Sequence, residues 1–156
     1  MENPRVLFVC LGNICRSPLA EGLFRKRASE AGLTVAADSA GTGDWHVGEP
    51  PQQQSQDVAR VAGFDISDIR ARRVSPEDFT RFTHIVAMDE MNERDLASVR
   101  PQDGGTVEVA RLLSYSALPE KNVLDPYGMS DDAFQKAYAQ IESGVEGLLA
   151  RLRQAH

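Results

Sequence analysis

The chain is poor in the residues that cross-link small secreted proteins or bind metals. Its 156 residues include two cysteines and three histidines. These are Cys10, Cys15, His46, His84 and His156. The cysteines lie five positions apart, and the histidines lack the spacing of metal ligands, which argues against a disulfide framework and against a zinc site. The sequence therefore predicts a cytoplasmic protein with free thiols, without a metal and without a cofactor.

Basic residues are fewer than acidic ones. The chain carries 17 Lys and Arg against 23 Asp and Glu, a formal net charge of -6. Neither nucleic acid nor an anionic membrane surface is attracted to such a protein as a whole, so neither is expected as a partner. Any anion that the protein binds must be captured locally.

Long hydrophobic runs are absent as well. The apolar run near the start, residues 6–11, is too short for a signal peptide and leads into Gly12 without a cleavage site of small residues. No segment approaches the roughly 20 apolar residues of a bilayer-spanning helix. The length suits one domain over residues 1–156 with a core of its own.

Short apolar runs alternate with segments of helical spacing. The predicted strands cover residues 5–10, about 33–40, 84–87 and about 106–112. The predicted helices cover 17–32, a segment from after Pro51 to about Gly63, a start at 75–78 with a capping-box pattern, 91–99 and about 134–152. This alternation predicts an α/β protein with a four-stranded parallel, doubly wound sheet flanked by helices. Ligands bind such sheets at the carboxyl ends of the strands, and Cys10 ends the first strand.

The loop between the first strand and the first helix carries the candidate chemistry. It reads Cys10, Leu11, Gly12, Asn13, Ile14, Cys15, Arg16 and Ser17. Backbone N–H groups in such a loop form an anion nest at the helix N-terminus, and Gly12 and Asn13 tolerate the left-handed conformations that a nest needs. The sequence thus predicts a phosphate-binding loop whose backbone contacts the substrate.

The same positive field stabilises a thiolate at Cys10, which makes it a nucleophile. Arg16 grips two phosphoryl oxygens in its planar fork, and Ser17 hydrogen-bonds the thiolate. A lone cysteine is more often buried and inert, but the whole cluster at a strand–helix junction favours catalysis. The Gly-Lys-Ser/Thr triplet of the Walker loop does not occur in the sequence.

Residues 6–18, VLFVCLGNICRSP, resemble the signature of the low-molecular-weight protein tyrosine phosphatases. The similarity continues through residues 38–40, 48–51, 87–92 and 125–127, in the order of the family. The resemblance implies hydrolysis of phosphotyrosine proteins through a phosphocysteine on Cys10, with inorganic phosphate as product and inhibitor. It also implies a four-stranded parallel sheet. For the oligomeric state we expect a monomer or weak dimer.

Asp125, beside Pro126 in a polar loop, is the candidate general acid. A phenolate leaving group needs a proton, and a positioned carboxyl group supplies one. An Asp-Pro pair is also a common turn, so the pattern alone leaves both readings open. The resemblance implies that Asp125 protonates the leaving oxygen and then activates water.

Trp45 and Tyr127 are aromatic residues in loops, outside the helical stripes. We expect them to form walls for the substrate ring, which favours phosphotyrosine over the shorter phosphoserine; the alternative is that they fill the core. His46, next to Trp45, is expected to be solvated.

Three positions depart from the family pattern. Many members have a histidine at the position of Ile69 that supports the loop asparagine, and isoleucine cannot form that hydrogen bond. Gln52 replaces a frequent aspartate. Gly128 replaces a second aromatic residue and opens the substrate rim.

Three other functions remain as alternatives. Arsenate reductases share the loop but need further cysteines outside it. Protein-arginine phosphatases resemble the family and carry Thr at the position of Ile14, whereas the apolar Ile14 favours a flat aromatic substrate. A catalytically inactive phosphotyrosine-binding module would lack Cys10, Arg16 or Asp125, all of which are present.

Overall fold

The computed structural model describes residues 2–103 and 105–155, so that His156 lies outside the described residues. Its strands are β1 (Arg5–Cys10), β2 (Ala36–Gly41), β3 (His84–Ala87) and β4 (Glu108–Arg111). Its helices are α1 (Arg16–Glu30), α2 (Gln53–Ala62), α3 (Asp78–Arg81), α4 (Glu90–Val99) and α5 (Asp131–Gln154), with a 3-10 turn over Leu112–Tyr115.

In this part of the chain the four strands form one parallel sheet with the order β2-β1-β3-β4. The predicted parallel α/β sheet is confirmed. Cys10 at the end of β1 lies opposite Gly41 of β2, and Val9 lies opposite Ala87 of β3. Because the chain leaves β1 toward β2 on one side and later adds β3 on the other, the carboxyl end of β1 is a topological switch point.

Side chains of β1 alternate between two apolar cores, as the pleat of a strand requires. Val6, Phe8 and Cys10 belong to the larger core, which contains most of the buried apolar residues of α1 and α5. Leu7 and Val9 belong to the smaller core, which includes Ile85 and Ala87 of β3 together with Phe79 of α3 and Leu96 of α4. Helices therefore cover both faces, and Cys10 is anchored in the interior.

Helix α5 supplies most of one side of the larger core. Its buried stripe matches the predicted helical spacing and includes Phe134, Ala137, Ile141, Val145, Leu148 and Leu152. Across residues 2–103 and 105–155, none of the helices combines the length and the hydropathy that crossing a bilayer requires.

Helix α1 begins one residue earlier than predicted, at Arg16 rather than Ser17. Pro18 is therefore its third residue. The helix tolerates this because the first four N–H groups of an α-helix have no intrahelical acceptor, so the missing N–H of proline removes no bond.

Strand β2 begins at Ala36, three residues later than predicted, because the residues before it form the cap of α1. Gly32, at φ 72°, donates its N–H to Ser29, and Leu33 donates to the carbonyl of Ala28 at 2.9 Å. This Schellman-type cap uses Leu33, which is therefore not available to the sheet.

Two further segments are short, and the first of them is shorter than predicted. Strand β4 ends at Arg111 because Leu112 begins the 3-10 turn. The capping pattern at 75–78 precedes α3, which has only four residues. There the Asp78 carboxylate accepts the N–H of Ser75 at 2.8 Å, which is one half of a capping box.

Candidate active site

Cys10 lies at the carboxyl end of β1 and is only 3% exposed. Its Sγ atom is 3.0 Å from Oγ of Ser17, and the backbone N–H of Asn13 donates to it at 3.3 Å. Because α1 begins at Arg16, the positive end of the helix dipole lies at the same loop. These donors stabilise negative charge both on the sulfur and on an anion bound above it.

Asn13 adopts the left-handed conformation that the sequence predicts, with φ 58°, and it is buried. Among the described residues it is the only one other than glycine with a positive φ. Its Nδ2 donates to Ser17 Oγ at 2.8 Å, and its Oδ1 accepts the backbone N–H of Arg72 at 3.0 Å. A backbone amide thus supplies the support that Ile69 cannot give.

The expectation of a left-handed Gly12 is wrong, because Gly12 is not among the residues with positive φ. Space explains this glycine better, since a Cβ atom there would lie 3.0 Å from Cδ2 of His46. At the end of β2, a Cβ on Gly41 would lie 2.7 Å from the carbonyl oxygen of Leu11. The loop therefore packs backbone to backbone against the neighbouring strand.

Arg16 is a buried cation whose side chain is 2% exposed. Its Nη1 donates to Oδ2 of Asp89 at 2.7 Å and to the carbonyl of Val123 at 3.0 Å. Burial alone lowers the pKa of Arg16, but the charge on Cys10, the hydrogen bond to Asp89 and the charge of Asp125 outweigh it and raise the pKa. The guanidinium is therefore charged at every working pH. Its position is fixed by the two hydrogen bonds of Nη1.

Asp125 lies between the 3-10 turn and α5 with a half-exposed side chain. Its Oδ2 is 3.6 Å from Nη2 of Arg16, and its Oδ1 accepts the backbone N–H of Tyr127 at 3.2 Å. The second bond closes an Asx turn, so Asp125 also has the turn role that the sequence left open. The turn holds the carboxylate at the edge of the site.

A cleft of about 100 Å³ brings these groups together. Its walls are Cys10, Leu11, Gly12, Ile14, Cys15, Arg16, Trp45, His46, Asp125 and Tyr127. Of the predicted site residues, Asn13 and Ser17 do not line this cleft; they lie buried behind it and contact the sulfur. Trp45 and Tyr127 are 68% and 54% exposed, so they form the rim rather than fill the core.

The sequence model of the family described as low molecular weight phosphotyrosine protein phosphatase matches residues 5–156. The chain belongs to this family. Its members are hydrolases of phosphoric monoesters, and the predicted family and enzyme class are confirmed.

Relatives from distant organisms match over nearly their whole length. The low molecular weight protein-tyrosine-phosphatase YfkJ of Bacillus subtilis is 42% identical over 154 residues, which cover 96% of each chain. The low molecular weight phosphotyrosine protein phosphatase of Homo sapiens is 38% identical over 154 residues, which cover 97% of this chain and 95% of the human protein.

Solved structures of such phosphatases have the same fold. The crystal structure of YfkJ from Bacillus subtilis superimposes with a TM-score of 0.91 at 40% identity, over 99% of this chain and 98% of that chain. A Drosophila arginine phosphatase superimposes with a TM-score of 0.87 at 34% identity, over 94% of this chain and 96% of that chain.

Two residues at this cleft have contacts that the sequence did not predict. His46, expected in solvent, is half-buried in the wall, with its ring centroid 5.9 Å from that of Tyr127 and Nδ1 3.2 Å from Glu49. Asp89 orients Arg16 and also caps α4, where it forms a reciprocal pair with Asn92. The capping role of Asp89 was readable from the sequence, since Asp-x-x-Asn before a helix is a capping pattern, but its contact with Arg16 was not.

Cys15 is a second buried thiol beside the first. Its Sγ donates to Oε1 of Gln52 at 3.6 Å, which gives the atypical Gln52 a contact of its own. Burial first, and then the charges on Cys10 and Asp125, raise the pKa of Cys15 to about 12. Cys15 is therefore a neutral thiol near pH 7.

Gly128 follows Tyr127 at the rim and has φ 75°. This left-handed conformation favours glycine over an aromatic residue. The glycine therefore fits the backbone conformation that this chain has at the rim.

Proposed function

We propose that the protein is a cytoplasmic, single-domain protein tyrosine phosphatase that hydrolyses phosphotyrosine through a phosphocysteine on Cys10. The observation that carries this proposal is that Cys10, Arg16 and Asp125 all line one cleft behind an aromatic rim. A nucleophile, an anion clamp and a proton donor are the groups that the displacement of a phosphoryl ester requires.

In the first step the Cys10 thiolate attacks phosphorus, and a sulfur–phosphorus bond replaces the bond to the phenolic oxygen. Asp125 gives its proton to that oxygen as it leaves. Arg16 and the loop N–H groups hold the phosphoryl oxygens, whose charge they match.

In the second step the Asp125 carboxylate takes a proton from water as the water oxygen attacks phosphorus. The sulfur–phosphorus bond breaks, and inorganic phosphate leaves. The Ser17 hydroxyl and the Asn13 N–H receive the thiolate again, because both lie within hydrogen-bond range of Sγ. This stabilisation makes Cys10 a good leaving group.

The rim favours an aromatic substrate. Trp45, Tyr127 and the buried Ile14 present apolar surface around the cleft, which a phenyl ring fills and a phosphoserine side chain does not reach. The likeness to an arginine phosphatase makes phosphoarginine the second candidate substrate. The flexible aliphatic part of a phosphoarginine side chain forms less favourable contacts with the aromatic rim than a phenyl ring does.

Turnover of matched peptides that carry phosphotyrosine, phosphoarginine or phosphoserine tests the proposal. We expect vanadate-sensitive turnover of phosphotyrosine, much slower turnover of phosphoarginine and none of phosphoserine. Ile14→Thr in the same panel measures the contribution of that side chain to the choice. Preference of the wild type for phosphoarginine would assign the site to the second candidate.

Asp125→Ala is expected to slow phenyl phosphate hydrolysis by about 10²–10⁴-fold, the usual contribution of a positioned acid. A nitrophenyl ester should lose less in its first step, because its phenolate leaves with little help. The measurement is the pre-steady-state release of each phenol. Asp57→Ala, on the exposed face of α2, is the control. Equal losses on the two esters would make Asp125 a structural residue.

Peroxide is expected to inactivate the enzyme reversibly. The Cys10 thiolate is oxidised to sulfenic acid by hydrogen peroxide, and the Cys15 thiol then condenses with it to form a disulfide and water. The raised pKa of Cys15 slows this attack, but the charge on Cys10 contributes to that pKa and disappears on oxidation. Both thiols line the same cleft.

Peroxide followed by dithiothreitol tests this step in wild type and Cys15→Ser. Activity of the wild type should return. In the variant no thiol traps the sulfenic acid, so further peroxide oxidises it to sulfinic acid, which dithiothreitol does not reduce, and activity should be lost for good. Inorganic phosphate should protect both proteins by covering Cys10. Equal recovery of the two would show that Cys15 serves packing alone.

A further inference from the structure

Arg72 joins two carboxylates to the back of the phosphate-binding loop. Its Nη2 lies 3.1 Å from Asp38 on β2, and Nη1 and Nη2 lie 3.0 and 3.1 Å from the two oxygens of Asp78. Asp78 is fully buried and also accepts the N–H of Ser75. Since a buried carboxylate is costly without a partner, Asp78 holds the Arg72 side chain firmly in place.

The backbone of Arg72 is bound as tightly as its side chain. Its N–H donates to Oδ1 of Asn13 at 3.0 Å, and its carbonyl accepts the N–H of Gly41 at 2.8 Å. The peptide at Arg72 therefore lies between the loop and the end of β2, with its guanidinium tied to β2 and to the start of α3.

The backbone N–H of Arg72 fixes the direction of the hydrogen bonds that reach the sulfur of Cys10. A backbone N–H only donates, so the Asn13 amide must turn Oδ1 toward Arg72 and Nδ2 toward Ser17. The amide N–H then occupies an acceptor position on Ser17 Oγ, at 2.8 Å. The single hydroxyl proton of Ser17 is left for the sulfur of Cys10, 3.0 Å away.

The arrangement matters because Asn13 is held in a left-handed conformation, which costs free energy for any residue with a side chain. The side chain of Ile69 packs against the larger core and has no polar atom with which to hold the asparagine side chain. Arg72 is the described residue that hydrogen-bonds Asn13 Oδ1.

We propose that Arg72 is a positioning residue: its ion pairs with Asp38 and Asp78 hold its backbone N–H against Asn13, which directs the Ser17 hydroxyl proton to Cys10. The proposal rests on the proposed function, because it assumes that Cys10 is the nucleophile. Arg72 itself does not line the cleft, and the sulfur is hydrogen-bonded by Ser17 and Asn13 instead.

Arg72→Met keeps the backbone N–H and removes both ion pairs. We expect kcat for nitrophenyl phosphate to fall about 10- to 100-fold, the scale of a misplacement of about 1 Å at a reacting group. Arg81→Met is the matched control, since Arg81 also approaches Asp78, at 3.6 Å, but is largely exposed. Its kcat should stay within about twofold of wild type, as for a surface substitution.

A double-mutant cycle with Asn13→Gly separates positioning from general destabilisation. Glycine tolerates the left-handed conformation and removes the amide that connects Arg72 to Ser17. If Arg72 acts through Asn13, Arg72→Met causes no further loss in the Asn13→Gly background. Losses that multiply would overturn the proposal, as would a wild-type kcat for Arg72→Met alone.

Two further variants keep the test informative if Arg72→Met does not fold. Arg72→Lys retains a cation between the aspartates and should recover part of kcat. Arg72→Met with Asp78→Asn removes the uncompensated buried charge and should still show the full loss. The rate of Cys10 alkylation by iodoacetamide provides a readout without turnover, and we expect it to fall in parallel.

The two proposals fail in different ways. If Cys10→Ser keeps its turnover, the proposed function is wrong whatever Arg72 does. If Cys10→Ser is inactive while Arg72→Met matches Arg81→Met in kcat and in alkylation rate, only the role of Arg72 is wrong.

Discussion

Cys10→Ser is expected to abolish turnover while the fold and oxyanion binding remain. A serine hydroxyl is not ionised near neutral pH, so the attacking group is lost although its geometry is kept. The Oγ atom replaces a buried Sγ atom that contacts Ser17 and Asn13, and a hydroxyl group satisfies both contacts. Activity on nitrophenyl phosphate, together with vanadate binding followed by calorimetry, measures the two properties separately.

Cys15→Ser is the matched control for this variant. It makes the same atomic change in the same loop, yet the proposed phosphoryl transfer uses only the backbone of Cys15, so most of the turnover should remain. Residual activity of purified Cys10→Ser above a few per cent of wild type would contradict the assignment of the nucleophile.

Arg16→Lys should lower kcat/KM by about 10²–10³-fold, the cost of removing a donor to the charge that develops in a transition state. The structure explains why a single ammonium is inadequate. Nη1 of Arg16 is already used by Asp89 and by the carbonyl of Val123, while Nη2 faces Asp125. Lysine has one nitrogen for both tasks and cannot form the bidentate fork.

Arg94→Lys on the exposed face of α4 serves as the control, because its partner Glu90 is a surface residue. Circular dichroism establishes that both variants fold. A loss in Arg16→Lys of less than about tenfold would mean that the backbone N–H groups of the loop dominate phosphate binding.

The strands and long helices were predictable because their signals are local. Continuous apolar runs gave β1 and β3, and the repeat of apolar residues gave α5. The boundaries were less accurate where a neighbouring element competes for the same residue. Leu33 is the clearest case, since it closes the cap of α1 instead of opening β2.

The loop from Cys10 to Ser17 was also predictable, because its cysteine, asparagine and arginine stand in one short segment. The residues that orient it come from elsewhere in the chain. Asp89 and Arg72 lie 73 and 59 positions from their loop partners, Arg16 and Asn13. No local pattern reveals such a pairing, and the support from Arg72 uses a backbone N–H that every residue except proline has.

His46 shows the same limit at the rim. It lies in a glycine-flanked loop, which indicates solvent, yet the fold brings it over Gly12 and next to Tyr127. The sequence pattern suggested that Gly12 is needed for a left-handed backbone conformation. The contact with His46 shows instead that Gly12 is needed because a side chain there would meet the histidine ring.

Rapid acid quenching during turnover of nitrophenyl phosphate tests the central claim most directly. The enzyme is stopped within milliseconds, digested and analysed by mass spectrometry. We predict one phosphoryl group on the peptide that contains Cys10, attached to the sulfur, and more of it in Asp125→Ala, which lacks the base that activates water. Steady turnover with no phosphorylated Cys10, or with the phosphoryl group on another residue, would contradict the account.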